Sequence, residues 1–271
     1  PISPRPRYAG PASVKLVQLD GATVSSLSLF SYFLGSPDFS SFKTVSDVIG
    51  GSVLTADFNS DGRQDLVAAQ DTTLYVSLGN GDGTFQTTST SSITFGAILP
   101  MRMLDLNGNQ RPDFYVAGVS DSALDTKIAL LLDNGSGGFK APAELTVSNL
   151  YPGLVTAGDF DGDGNVDFAV VGSPLPADVC CTVQVLRGTA GGGYGTPQAI
   201  TFPGGHTVDY LTALSARDLD GDGKADLILG GDFKSMGGAT DTGIMFARGT
   251  ASGFGNETLV ATNFDPADIH I

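Results

Sequence analysis

Four short acidic segments carry oxygen side chains at fixed spacing. They are Asp57-Phe-Asn-Ser-Asp-Gly-Arg-Gln-Asp65, Asp105-Leu-Asn-Gly-Asn-Gln-Arg-Pro-Asp113, Asp159-Phe-Asp-Gly-Asp-Gly-Asn-Val-Asp167 and Asp218-Leu-Asp-Gly-Asp-Gly-Lys-Ala-Asp226. Each places Asp or Asn at positions 1, 3 and 5 and Asp at position 9. Alternate oxygen donors on a tight turn suit a hard divalent cation, and Ca²⁺ is the expected one. The first aspartates lie 48, 54 and 59 residues apart, a spacing that marks a repeat architecture.

The four loops are not equal as ligand sets. Loops three and four each offer four carboxylates: Asp159, Asp161, Asp163 and Asp167, then Asp218, Asp220, Asp222 and Asp226. Loop one offers Asp57, Asn59, Asp61 and Asp65. Loop two keeps only Asp105 and Asp113 as charges, beside Asn107 and Asn109, and has Gln110 where the others have Gly62, Gly164 and Gly223. The seventh residues, Arg63, Arg111, Asn165 and Lys224, are expected to contribute backbone carbonyls, which leaves their side-chain type free. Asx-turns without metal are the alternative. Crowding four carboxylates without a cation is repulsive, which favours metal at loops three and four, whereas a metal-free turn fits loop two as well as an occupied one does. Three or four Ca²⁺ sites are therefore expected.

The elements that position these loops are short strands. Each loop is preceded by a strand, as at Gly51–Ala56 and Tyr210–Ala216, and followed at once by an apolar run: Leu66-Val-Ala-Ala, Phe114-Tyr-Val-Ala, Phe168-Ala-Val-Val and Leu227-Ile-Leu-Gly. These runs are apolar on both faces, the signature of a strand buried on both sides. A third strand follows (Leu74–Leu78, Ile128–Leu132, Val183–Leu186, Gly243–Phe246), then a glycine-rich turn ending in Phe85, Phe139, Tyr194 or Phe254, then a weaker fourth strand such as Glu144–Val147. Four antiparallel strands per unit, repeated radially, make the blade of a β-propeller, and a fixed aromatic per blade is its packing cue.

The units resemble FG-GAP repeats of the integrin α N-terminal type, also known as VCBS-type repeats. The acidic loops with their following Asp-Leu or Asp-Phe, and the glycine turn with its aromatic, carry the resemblance over about residues 45–260. Phe95-Gly96 echoes the "FG" element and Gly172-Ser-Pro174 loosely echoes "GAP". The resemblance implies an all-β propeller with Ca²⁺ sites between the first and second strands of each blade. Integrin-type propellers have seven blades, for which this chain is too short. The expectation is one domain of about five blades over 1–271: a partial blade at 1–44, blades at 45–94, 95–150, 151–203 and 204–262, and a closing first strand at 263–271. The alternative is a fragment of a longer array.

Composition narrows the partners. The net charge is −15, and 13 of the 29 acidic residues are motif aspartates. No basic stripe is present to pair with phosphates, which argues against nucleic acid, and the negative charge argues against anionic membrane surfaces. No apolar run has the length of a membrane span. The chain begins at Pro1 and reads as a mature or excised segment, so a missing leader is not evidence for the cytosol. The adjacent Cys180 and Cys181 form neither a disulfide framework nor a zinc pattern and read as small apolar fillers. Extracellular modules bind Ca²⁺ at Kd ~10⁻⁴–10⁻³ M, which would leave such sites largely empty in cytosol and points to an extracellular or cell-surface location.

Catalytic groups do not assemble. His206 and His270 have no neighbouring triad pattern, and no glycosidase carboxylate pair stands out. Asn134-Gly-Ser136 and Asn256-Glu-Thr258 match sequons but fall in turns, and Arg187-Gly-Thr and Arg248-Gly-Thr read as turn chemistry. The segments joining the second and third strands vary most in length, at Gln70–Thr73, Val119–Lys127, Ser173–Thr182 and Gly231–Thr242. Variable loops on a rigid scaffold concentrate binding, which makes Asp121, Asp125, Lys127, Asp178, Lys234 and Asp241 candidates on the face opposite the acidic loops. The expected function is a non-catalytic, calcium-stabilised propeller module for adhesion or recognition of protein or glycan. The propeller part of a secreted carbohydrate-active enzyme, and an architectural repeat that packs on neighbouring copies, are the alternatives.

Overall fold

A computed structural model describes residues 52–97, 99–120, 125–174, 181–235 and 237–261. The partial blade expected at 1–44 and the closing strand at 263–271 lie outside them, as do Asp121, Asp178 and Cys180. Among the described residues there is no helix.

Among the described residues four antiparallel sheets follow one another. The first holds β1 (Ser52–Ala56), β2 (Asp65–Gln70), β3 (Thr73–Ser77) and β4 (Ser89–Ser92) in sequence order. The second holds β5 (Gly96–Ala97) and β6 (Arg102–Leu104), both paired to β7 (Asp113–Val119), then β8 (Thr126–Leu131) and β9 (Ala143–Val147). Its first strand is split because Pro100, which lacks an N–H for the ladder, sits between β5 and β6. The third comprises β10 (Leu150–Gly158), β11 (Asp167–Pro174) and β12 (Thr182–Leu186), a two-stranded ribbon of β13 (Gly188–Thr189) and β14 (Gly193–Tyr194), and β15 (Gln198–Ala199), which pairs with β12. The fourth has β16 (Thr207–Arg217), β17 (Asp226–Lys234), β18 (Thr240–Thr250) and β19 (Gly253–Ala261). These are blades of β-propeller type. Much of Gly231–Thr242, read from sequence as a loop, is strand: β17 runs to Lys234 and β18 restarts at Thr240, in register from Gly231↔Gly243 to Lys234↔Thr240.

The second strand of each blade explains why consecutive blades pack. Side chains alternate across a strand, and here both faces are covered. Phe114 and Val116 of β7 join Val67 and Ala69 of β2 in one core, while Tyr115 and Ala117 join Phe168 and Val170 of β11 in the next. Ala169 and Val171 then meet Leu227 and Leu229 of β17 in a third. Each apolar core is thus a seam between neighbouring blades. The second residue of the acidic loop reaches across it: Phe58 lies edge-on to Phe139 at 5.2 Å, and Phe160 lies 5.3 Å from Phe254.

A second device ties a blade's fourth strand to the segment entering its first. Glu257 on β19 accepts N–H groups from Gly204 (2.8 Å) and His206 (3.1 Å) and meets His206 Nδ1 at 2.8 Å. Glu144 on β9 does the same for the backbone and hydroxyl of Thr94. Burial pushes the Glu257 carboxyl up, but these donors outweigh it and hold it below its ordinary value. A depressed carboxyl stabilises above its unfolded value of 4.5 and loses that contribution as pH falls through its folded value. Glu257→Gln is expected to lower stability by about 1–3 kcal/mol near neutrality. Its deficit against the parent should shrink as pH falls below 4.5 and through the depressed folded value, as read by urea titrations across the acid range.

Candidate metal centres

The four acidic loops share one backbone. Positions 4 and 6 are left-handed in all of them: Ser60 and Gly62, Gly108 and Gln110, Gly162 and Gly164, Gly221 and Gly223, with φ between 60° and 85°. The first aspartate accepts the N–H of position 6 each time: Gly62 (2.8 Å), Gln110 (2.6 Å), Gly164 (2.8 Å) and Gly223 (3.0 Å). The fifth side chain accepts the N–H of position 7, from Arg63, Arg111, Asn165 and Lys224, at 2.8–2.9 Å. Loop two therefore keeps the shape while losing charge. Gln110, at φ 65°, holds a conformation that disfavours a Cβ by roughly 1–2 kcal/mol. Gln110→Gly is expected to raise stability by about 1 kcal/mol after the entropy of the added glycine is set against that relief, measured by denaturant unfolding.

Position 9 does something sequence spacing alone does not reveal. Asp65 Oδ2 accepts the Phe58 N–H at 2.9 Å and Oδ1 the Gly79 N–H at 2.8 Å. Asp113 takes Leu106 (3.0 Å) and Asp133 (2.7 Å), Asp167 takes Phe160 (3.0 Å) and Gly188 (2.7 Å), and Asp226 takes Leu219 (2.9 Å) and Gly249 (3.0 Å). One buried carboxylate thus clamps the acidic loop to the start of the third-to-fourth-strand turn in each of the four described blades. Burial pushes Asp65 and Asp113 above the ordinary carboxylate range, and Asp167 up to about 6, against the pull of those N–H donors. The glycine after β12 has the same role as Gly79 and Gly249: a Cβ there would strike the carbonyl of the residue before the clamping aspartate, that of Gln64, Val166 or Ala225. Blade two places Asp133 at this point, paired with Arg111 at 3.3 Å.

Among the described residues, two groups of three carboxylates have ligand atoms within 4.8 Å of one another: Asp159, Asp161 and Asp167, and Asp218, Asp220 and Asp222. This all-oxygen donor set fits a hard divalent cation. Asp163 and Asp226 stand outside those groups. Asp163 is held below the ordinary range by the Asn165 N–H, and Asp222 by the Lys224 ammonium at 3.0 Å. Loop one has the same turn, with Asn59 Nδ2 donating to Asp61 Oδ2 at 3.0 Å. In loop two the amides of Asn107 and Asn109 replace the charges and the fit is poorer.

Two arginines join the acidic loops. Arg187 Nη1 lies 2.8 Å from Asp161 Oδ2 and 3.2 Å from Asp167 Oδ2, and Arg248 Nη1 lies 3.1 Å from Asp220 Oδ2. Reading Arg-Gly-Thr as turn chemistry alone was incomplete: the glycine serves the turn, but the arginine serves the neighbouring loop. The available signal was that arginine occupies this place only in the two units with four-carboxylate loops. Asn134 is turn chemistry, its Oδ1 accepting the Ser136 N–H at 2.9 Å.

Of the residues expected on the opposite face, Lys234 pairs with Asp209 at 2.6 Å, Lys127 Nζ donates to Thr146 at 2.7 Å, and Asp125 accepts the Asn149 N–H at 2.8 Å. Sequence reasoning missed two tyrosines there. Tyr151 and Tyr210 are exposed and occupy matching places, each eight residues before its first aspartate and opposite Ser173 and Asp232. On the acidic-loop side, a cavity of about 520 Å³ opens between blades two and three, lined by Asn107, Asn109, Lys140, Asn165 and Tyr194.

The FG-GAP-like repeat family matches residues 57–116 and 105–170, a span that takes in the first three acidic loops. No curated protein matches the chain. Among solved structures, the chain is similar to a lectin of Agrocybe aegerita described as recognising non-reducing terminal N-acetylglucosamine (20% identity, TM-score 0.48, covering 80% of this chain and 54% of that one). It is also similar to the Tc holotoxin pore of Photorhabdus luminescens (16% identity, TM-score 0.39, covering 89% of this chain and 12% of that one). The chain thus spans about half of the first protein and a small part of the second. Residues 57–170 thus carry FG-GAP-like repeats, and the fourth acidic loop with its clamp at Asp226 repeats the same local arrangement.

Proposed function

We propose that this chain is a non-catalytic recognition module, stabilised by Ca²⁺ and working outside the cell, that binds a protein or glycan on the face opposite its acidic loops. The observation that carries the calcium reading is the convergence of three carboxylates at Asp159, Asp161 and Asp167, and again at Asp218, Asp220 and Asp222. Loop one completes a set of three sites. Weak sites of this kind fill at extracellular calcium and not in cytosol, which supports the location. The ligand face is supported by Tyr151 and Tyr210: rings exposed in matching places on adjacent blades offer stacking surfaces with a polar tip. The Asp209–Lys234 pair beside Tyr210 adds hydrogen-bonding groups suited to hydroxyls or a polypeptide backbone.

Two measurements test this. Calorimetric titration of metal-free protein with CaCl₂ is expected to give three sites, and absence of binding at millimolar calcium would refute the metal reading. A glycan array, with a cell-surface binding assay beside it, is expected to give binding that Tyr151→Ser with Tyr210→Ser abolishes. Binding that survives those changes and is lost in Lys140→Ala would move the ligand to the cavity between blades two and three. Self-association with no binding in either assay would favour the architectural role.

A further inference from the structure

We infer that Arg187 is a resident counter-ion of loop three, which holds that loop together without metal and weakens its affinity for calcium; the inference rests on the calcium reading above. Its guanidinium touches two of the three converging carboxylates, at 2.8 Å and 3.2 Å. The blade-four equivalent, Arg248, touches Asp220. At the same place the first two blades carry Leu78 and Leu132, and their loops have three and two aspartates. Arginine therefore appears only where the loop charge is greatest.

The contact cuts both ways. Without metal, the guanidinium neutralises one of four negative charges and accounts for lone pairs that would otherwise be crowded against each other. With metal, the same positive charge stands beside the cation. A unit charge about 5 Å from a divalent ion disfavours it on the order of tenfold even at the dielectric constant of water. The effect is greater at Arg187, whose side chain is 26% exposed, than at Arg248, at 70%, because exposed charges are better screened. Arg187 thereby trades calcium affinity for stability of the metal-free blade. Loop three then responds over a higher range of calcium than its four carboxylates alone would set.

The test is a calcium titration of the full chain by ¹H–¹⁵N correlation spectra, read at the amides of Gly62, Gly164 and Gly223, one in each loop. In Arg187→Gln the Gly164 midpoint is expected to fall on the order of tenfold with Gly62 unmoved, and the melting temperature in chelator is expected to drop. Arg187→Lys, which keeps the charge, should stay near the parent. A Gly164 midpoint unchanged or raised in Arg187→Gln overturns the inference. No calcium-dependent shift at any of the three glycines in the parent overturns the calcium reading itself and the inference with it. Should Arg187→Gln not fold, Arg248→Gln read at Gly223 is the second trial, with a smaller shift in the same direction expected and none refuting it.

Discussion

Asp65→Ala is expected to lower the melting temperature by about 10 °C, equally in calcium and in chelator. Asp65 is fully buried, and its two oxygens accept N–H groups from Phe58 and Gly79. Truncation leaves two buried donors without partners, each costing about 1–3 kcal/mol, and removes two charge-assisted bonds. A total of about 3–5 kcal/mol places this among the larger single-residue effects, and a chain of this size loses roughly 2–4 °C per kcal/mol. Asp226→Ala, which removes the acceptor for Leu219 and Gly249, should behave alike. Asp113→Ala is the most telling: it lies in the loop poorest in carboxylates, yet its clamp to Leu106 and Asp133 is complete. A large, calcium-independent loss there would assign position 9 to the fold. A loss seen only in calcium would return it to the metal. Thermal melts of the three variants in both conditions decide between the two.

That double role marks the boundary of what the amino-acid sequence discloses. The blades were legible because strand burial leaves a periodic trace: Phe114-Tyr-Val-Ala is apolar at every position, and both of its faces are in fact covered, by the first blade on one side and the third on the other. The recurring aromatic was legible for the same reason, since Phe139 and Phe254 fill the seam at one place in each unit. What a carboxylate bonds to leaves no such trace. Asp65 and Asp61 look alike in a ligand pattern. One is buried and bonds a backbone N–H 14 residues away, and the other is exposed on the turn. Arg187 and Asp161 are 26 residues apart, and no local rule brings them to 2.8 Å. The clasp of Glu257 on Gly204 and His206 joins residues more than 50 apart, and Tyr151 could be recognised as a surface ring only once its strand had a face. Loop two lay between these cases. Its lost charges were plain, whereas the persistence of the turn through Gln110 at φ 65° depends on a clamp that the pattern does not show.

Chelation is expected to give the largest shift of all, because it acts on several loops at once. A ligand that binds the folded chain and not the unfolded one stabilises by about 2.7 kcal/mol per site at a hundred times Kd. Three sites of that strength would contribute roughly 8 kcal/mol at saturation, comparable with the entire stability of many domains. Metal-free loops three and four keep part of their integrity through Arg187, Arg248 and Lys224, so the chelated chain should melt lower yet still cooperatively. Asp161→Ala and Asp220→Ala each remove a carboxylate from a converging group without touching the clamp, and each should erase about one third of the calcium-dependent shift; each also loses its contact to Arg187 or Arg248, so the chelated melt should fall slightly as well. Asn107→Ala, in the loop with two charges, should alter it least. The measurement is a set of melts of parent and variants, with calcium and with chelator. If the parent melts at one temperature in both, the acidic loops hold their shape by hydrogen bonds and arginine alone, and the argument for an extracellular location loses its physical basis.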